Sequence, residues 1–181
     1  MKRILITGLI GVIVFSSCTK KNYLYFSEKQ LVFVNYSKGQ DLKFVDTASL
    51  LQTLSQDEYH RQFREQLGVL GKTGNFIEEY EVAYRAQNGG SLGLHISVSA
   101  NSSVSLEFAS YFNLLIRPDS LQSTIPSMSV NGKTYTDIYT LKMYKNYQDI
   151  NNSDTATLFH NKEYGVIQLL FPDGKKIMRV D

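Results

Sequence analysis

Between residues 76 and 108 one pattern repeats three times, and it constrains the fold more than any other feature of the chain. In Phe76 to Arg85, Phe76, Tyr80, Val82 and Tyr84 share one parity, while Glu79, Glu81 and Arg85 share the other. A period of two places successive side chains on opposite faces of a strand. Asn88-Gly89-Gly90-Ser91 then supplies turn residues, and Leu92, Leu94, Ile96 and Val98 resume the alternation. Asn101-Ser102-Ser103 turns again into Val104, Leu106 and Phe108. Strands joined by such short connections run antiparallel, so the segment is predicted to be a three-strand meander.

The C-terminal third follows the same logic. Asn131-Gly132 is a hairpin turn, because a type I′ turn needs positive φ at both central residues. Tyr135, Asp137, Tyr139 and Leu141 alternate after it. Leu158-Phe159-His160 leads through Asn161 to Gly165 into Val166 to Phe171, and Pro172-Asp173-Gly174-Lys175 turns the chain towards Ile177, Met178 and Val180. Leu31–Tyr36 and Leu42–Val45 read as earlier strands. One stretch departs from the period: Ser55 and Glu58 have capping-box spacing, Tyr59, Phe63 and Leu67 stand four apart, and Gly68 can close a helix. Residues 56–67 are therefore expected as a short amphipathic helix, with a distorted hairpin as the alternative. The fold class is mainly β, an antiparallel sandwich or partly closed barrel of about eight to ten strands with one short helix.

At 181 residues, 43% hydrophobic and 20% charged, the chain has the composition of one globular domain, here residues 23–181. The single Cys excludes an internal disulfide framework and any Cys-cluster zinc or iron–sulfur site. A formal charge of +2 is far from the basic surface of a nucleic-acid binder, so no nucleic-acid partner is expected.

The N-terminus is built differently. Lys2 and Arg3 precede Ile4–Phe15, a twelve-residue uncharged stretch, and Ser16, Ser17 and Cys18 follow. A twelve-residue helix spans about 18 Å, short of the roughly 30 Å hydrocarbon core. A basic start, a short apolar region and a small-residue exit describe a secretory signal peptide. Phe15-Ser16-Ser17-Cys18 resembles the lipobox of bacterial lipoproteins, with Phe15 where Leu is usual. The resemblance implies cleavage between Ser17 and Cys18, lipidation of Cys18 by diacylglycerol and a fatty acyl chain such as palmitate, a signal over 1–17 and a lipidated tether over 18–22. More than one chain anchors a protein stably. Thr19 is not the Asp of the inner-membrane retention rule, and Lys20-Lys21 is not the acidic run of surface-export signals. The expected location is the cell envelope, at the periplasmic face of the outer membrane. Without Lys2 and Arg3 the 19 basic residues become 17, against 17 acidic ones, since residues 1–17 hold no acid.

Val130-Asn131-Gly132-Lys133-Thr134-Tyr135-Thr136-Asp137-Ile138-Tyr139 and Phe159-His160-Asn161-Lys162-Glu163-Tyr164-Gly165-Val166-Ile167 resemble the tail of small uncharacterised lipoproteins of Bacteroidota. The Trp near the end of those chains is absent here, where Met178-Arg179-Val180 stands instead. The resemblance implies no activity.

Motifs that carry chemistry are fragmentary. Gly89-Gly90-Ser91-Leu92-Gly93 has the spacing of a nucleophile elbow, but that motif needs a strand-to-helix turn, and strand alternation continues on both sides. Gly71-Lys72-Thr73 lacks the earlier Gly of a P-loop, Gln66 standing in its place. Asp149 to Asp154 starts like a calcium loop, yet position six is Asp154 rather than Gly and position twelve is His160 rather than Glu. Glu58 and His60, two apart on the expected helix, diverge. Glu79 and Glu81 align on a solvent face, and His95 sits on the less apolar face of its strand. No metal or cofactor is expected. Tyr80, Tyr84, Tyr135, Tyr139, Tyr144, Tyr147 and Tyr164 suit sheet packing first and glycan stacking second.

The function expected is that of a lipid-anchored, non-enzymatic envelope domain contacting another protein or the envelope glycan. A carrier for an apolar ligand is the alternative, to be decided by whether Tyr80, Val82, Leu94, Ile96 and Phe108 line a cavity or fill it. A serine hydrolase using Ser91 comes third.

Overall fold

The computed structural model describes residues 20–69, 71–109, 112–116, 121, 125–145, 151 and 154–180; Ser17, Cys18 and Tyr147 lie outside them. The described residues form β1 (Asn22–Leu24), α1 (Glu28–Leu31), β2 (Leu42–Asp46), β3 (Leu51–Gly68), β4 (Gly71–Ala86), β5 (Gly93–Ser99), β6 (Val104–Phe108), β7 (Phe112–Ile116), β8 (Ile125–Val130), β9 (Lys133–Tyr144), β10 (Thr155–Asn161), β11 (Gly165–Leu170) and β12 (Lys176–Val180). The protein is mainly β.

From β2 to β7 each strand pairs antiparallel with the next, as do β9 to β12, and β12 returns to β2. Among the described residues β7 and β9 pair only at Asn113 and Tyr144. The sheet therefore curls into a circuit whose ladder is left open at that seam, a partly closed barrel rather than a sandwich. The meander over 76–108 and the Asn131-Gly132 turn are as expected, with φ of 47° and 82° at the two turn residues.

Inward side chains from all around the circuit form one cluster. Tyr80, Val82, Leu94, Ile96 and Phe108 are each at most 1% exposed, and Phe44 of β2 meets Phe108 of β6 edge-on at 5.7 Å. Those inward positions fill the interior. Residues 26–36 add Phe26, Val32, Phe33 and Tyr36 to this core. There α1 is held by a capping box, Ser27 N–H donating to Gln30 Oε1 at 2.9 Å and Gln30 N–H to Ser27 Oγ at 3.3 Å. Gln30 Nε2 donates to the Ser99 and Ser102 carbonyls, tying this segment to the end of β5.

A second, smaller cluster lies on the outside. β9 follows β10 as far back as Ile138, and the positive φ of 53° at Asp137 marks where it turns away with β8. Val130, Tyr135, Ile138, Phe159 and Ile167 pack together there. β10 and β11 are consequently buried on both faces, with Leu158 and Val166 inward and Phe159 and Ile167 outward. That explains why Val166 to Leu170 reads as an apolar run rather than an alternation. The two C-terminal stretches quoted above meet here: Tyr135 and Tyr164 stack edge-on at 5.3 Å, and Lys133 Nζ sits 3.7 Å over the Tyr164 ring.

Two expectations fail. Residues 56–67 belong to strand β3, not to a helix, and residues 31–36 are not a strand. Four is also a multiple of two, so Tyr59, Phe63 and Leu67 satisfy a strand as well as a helix, and sixteen residues of β4 offer a ladder that an isolated twelve-residue helix cannot match. Ser55 does not cap; its hydroxyl accepts a hydrogen bond from Gln87. Leu31 ends α1 and is exposed, while Val32, Phe33 and Tyr36 bury their side chains as irregular backbone over the barrel core.

Candidate functional site

β3 and β4 pair from Leu54 with Ala86 to Gly68 with Gly71. β2 leaves β3 at Leu54, and β5 leaves β4 at Glu79. Beyond those points the hairpin is accompanied only by β1 among the described residues, running parallel to β4 from Asn22 opposite Asn75 to Leu24 opposite Ile77. The stretch from 79 to 71 projects roughly 26 Å at a strand's rise of about 3.3 Å per residue.

This arm carries an exposed aromatic group. Tyr23 stacks on Phe76 at 5.1 Å, and Phe63 stands edge-on to both Tyr23 and Tyr25 at 5.3 Å. Tyr25 is 64% and Leu67 77% exposed, and Val69 lies fully open. Lys20 and Lys21 are exposed beside it, with Lys21 Nζ 5.6 Å over the Phe76 ring. Lys72 completes a basic rim, paired with Glu65 at 3.3 Å, while Arg64 points to the other face of β3 and pairs with Glu79 at 3.9 Å.

At the base of the arm Glu78 is buried. Both Arg61 Nε and Nη2 donate to its Oε1, at 3.0 and 2.9 Å, and the Phe26 N–H donates to Oε2 at 3.1 Å. The carboxylate thus joins the arm to the segment leading out of β1. Its parity, that of Tyr80 and Val82, is the sequence signal that places it inward.

A second surface runs along the outer face of β3, β4 and β5. A depression of about 710 Å³ is lined by Glu58, Glu81, Arg85, His95 and Glu107 together with Ala83, Leu92 and Leu94, and continues into a more polar one of about 430 Å³ that shares Glu58 and Glu81. Glu81 and His95 contact at 2.9 Å across the β4–β5 ladder. Glu58 and His60 contact at 3.1 Å, correcting the divergence expected on a helix: two apart on a strand, they share a face. Asp57 pairs with Arg85 at 2.9 Å. In this trough Glu58 and Glu81 each contact a histidine, and Arg85 is held by Asp57.

Inside the barrel the polar groups are few. Tyr80 Oη donates to the Tyr36 carbonyl, Tyr36 Oη accepts from the Val166 N–H at 2.8 Å, and Tyr84 Oη accepts from Gln56 at 3.1 Å. Burial pushes all three phenols up, Tyr84 to about 12, so they stay protonated. His160 is fully buried against Phe33, with neither ring nitrogen hydrogen-bonded; burial, then the nearby Arg179 charge, lowers its pKa from 6.5 to about 3. Tyr80, Tyr84 and Tyr135 thus serve packing, while Tyr139, Tyr144 and Tyr164 are half-buried.

Of the other sequence candidates, Ser91 is exposed in the β4–β5 connection, and strand β5 rather than a helix follows it. Gly71-Lys72-Thr73 opens β4. Within the 149–154 loop only Asn151 and Asp154 are described, and His160 sits inside the barrel, away from any loop ligand set. Among the described residues no group of three or more His, Cys, Asp and Glu could hold a metal ion. Sequence reasoning missed the aromatic arm, although Tyr23-Leu24-Tyr25 directly follows Lys20-Lys21-Asn22 as an apolar run with no inward partner. No protein-family model, curated protein or solved structure matches the chain.

Proposed function

We propose that this protein is a lipoprotein of the cell envelope, attached through Cys18 at the periplasmic face of the outer membrane, whose β domain is non-enzymatic and binds another envelope protein or the envelope glycan through its outer surface. The observation that carries this reading is the filled interior. Tyr80, Val82, Leu94, Ile96 and Phe108 pack against one another and against Phe44, which favours surface recognition over carriage of an apolar ligand. The outward residues Glu79, Glu81, His95 and Glu107 are polar, the reverse of a lipid-facing barrel wall, which supports attachment through the N-terminus rather than through the strands. The trough along β3 to β5 is the binding face.

Two measurements test it. Metabolic labelling with radioactive palmitate marks the wild-type protein and not a Cys18→Ala variant, and the labelled protein sediments with outer membranes. Photo-crosslinking from position 81 in intact cells traps an envelope component that a His95→Glu, Arg85→Glu variant does not. Absence of label overturns the anchor. Native mass spectrometry that finds a stoichiometric apolar ligand in protein from its host would replace surface binding with carriage.

A further inference from the structure

The direction of β1 says where the N-terminal tether goes. β1 is parallel to β4, and β4 runs from the hairpin end at Gly71 towards the barrel. Followed backwards from Asn22, opposite Asn75, the chain at Lys20 therefore heads towards the end of the arm. Only Thr19 separates Lys20 from Cys18, at most about 7 Å of chain. A lipid on Cys18 is thus delivered to the neighbourhood of Leu67, Val69 and Gly71, and the bilayer that receives it lies within reach of the same side chains.

Those side chains suit a bilayer surface. Tyr23 and Tyr25 offer rings with polar tips, the residue type of membrane interface belts, and Phe63 adds an apolar ring edge-on to both. Leu67 and Val69 extend past them into solvent. Lys20, Lys21 and Lys72 surround them, and cations near an anionic lipid surface each add roughly tenfold or less to membrane affinity. The arm reaches well beyond β2 and β5, so contact at its end does not bring the barrel's polar wall against lipid.

We propose that the aromatic end of the β3–β4 arm, rimmed by Lys20, Lys21 and Lys72, sits in the headgroup layer of the phospholipid bilayer to which Cys18 is attached. The inference rests on the lipoprotein reading of Cys18. It gives the domain a fixed orientation: arm down, barrel held off the membrane, and the trough on β3 to β5 turned sideways to the periplasm.

The test uses the full lipidated chain in vesicles of phosphatidylethanolamine and phosphatidylglycerol. The sequence has no Trp, so an introduced one is the sole indole emitter. Leu67→Trp and Phe63→Trp report on the arm, both at exposed positions that leave the core intact, and Asn88→Trp reports on the opposite end of β4. With bromine-labelled acyl chains, emission from positions 67 and 63 is expected to shift to the blue and be quenched, while that from position 88 stays unchanged. Palmitate labelling of the same samples is read separately. Labelled protein whose indole emission at positions 67 and 63 is no more quenched than that of the Asn88→Trp variant overturns the docked arm and leaves the anchor standing. Unlabelled protein overturns both. A blue shift without bromine quenching, together with a doubled particle mass, assigns the arm to a second copy of the chain and overturns the proposal.

Discussion

β3 and β11 are both strands, and they exist for opposite reasons. β11 buries five of its six residues, facing the barrel core with Val166 and Leu169 and the outer cluster with Ile167. β3 has eighteen residues and fully buries Leu54 alone. Hydrophobic burial holds β11 in place, at about 25 cal/mol for each Å² of apolar surface removed from water. β3 is held by its ladder with β4 and by the Arg61–Glu78 pair at its base. A strand that buries so little over such a length adds little to the core, and its exposed aromatic end is free to serve contact with something else. The difference separates a scaffold from an arm.

That contrast can be broken by mutation, and the largest effects belong to the scaffold. Phe44→Ala removes a fully buried ring that reaches Phe108 across the barrel and is expected to cost about 3–5 kcal/mol in urea unfolding. Gly165→Ala comes next, at roughly 2–4 kcal/mol. The residue has φ 76°, and an added Cβ would overlap the Tyr36 hydroxyl.

His160 supplies a pH dependence of similar size. Its folded pKa of about 3 lies below the unfolded 6.5, so the unfolded chain binds the proton first as pH falls. Its contribution is complete above pH 6.5 and is lost progressively towards pH 3, roughly 2–3 kcal/mol of it by about pH 4.5. Chemical unfolding of His160→Phe should be flatter over that window; an unchanged slope would place the acid sensitivity elsewhere. Glu78→Gln removes the charge facing Arg61 while leaving an amide oxygen for the Phe26 N–H, and is expected to loosen the base of the arm by about 1–2 kcal/mol in the same unfolding assay. At the small end, Phe63→Ala should change unfolding by less than about 1 kcal/mol while altering attachment to vesicles. A loss comparable to Phe44→Ala would show that the arm belongs to the scaffold after all.

The same contrast explains what can be read from residues alone. The meander over β4 to β6 is legible because one face is buried and the other solvated, which writes a period of two into the chain. β11 is legible as a mostly apolar stretch, although the outer cluster that buries the second face of β10 and β11 depends on the turn of β9 at Asp137. β3 is not legible: without a buried face its residues carry no obligatory alternation, and the four-residue spacing of Tyr59, Phe63 and Leu67 fits two periods at once. The polar trough is half legible. Glu79, Glu81 and His95 fall on an outward face by parity, but Glu58 and His60 join them only once β3 is a strand. The arm's end is assembled from β1, β3 and β4, and pairing between segments some fifty residues apart, such as Asn22 with Asn75, leaves no trace in local pattern.

The return of β12 to β2 sets the order in which the molecule can be made. Lys43 pairs with Val180, so one of the earliest strands waits for one of the last before its second edge is satisfied. Such distant contacts slow folding, since loop entropy is lost before the pairing rewards it. A chain made N-terminus first therefore leaves the second edge of β2 unpaired until β12 has been added.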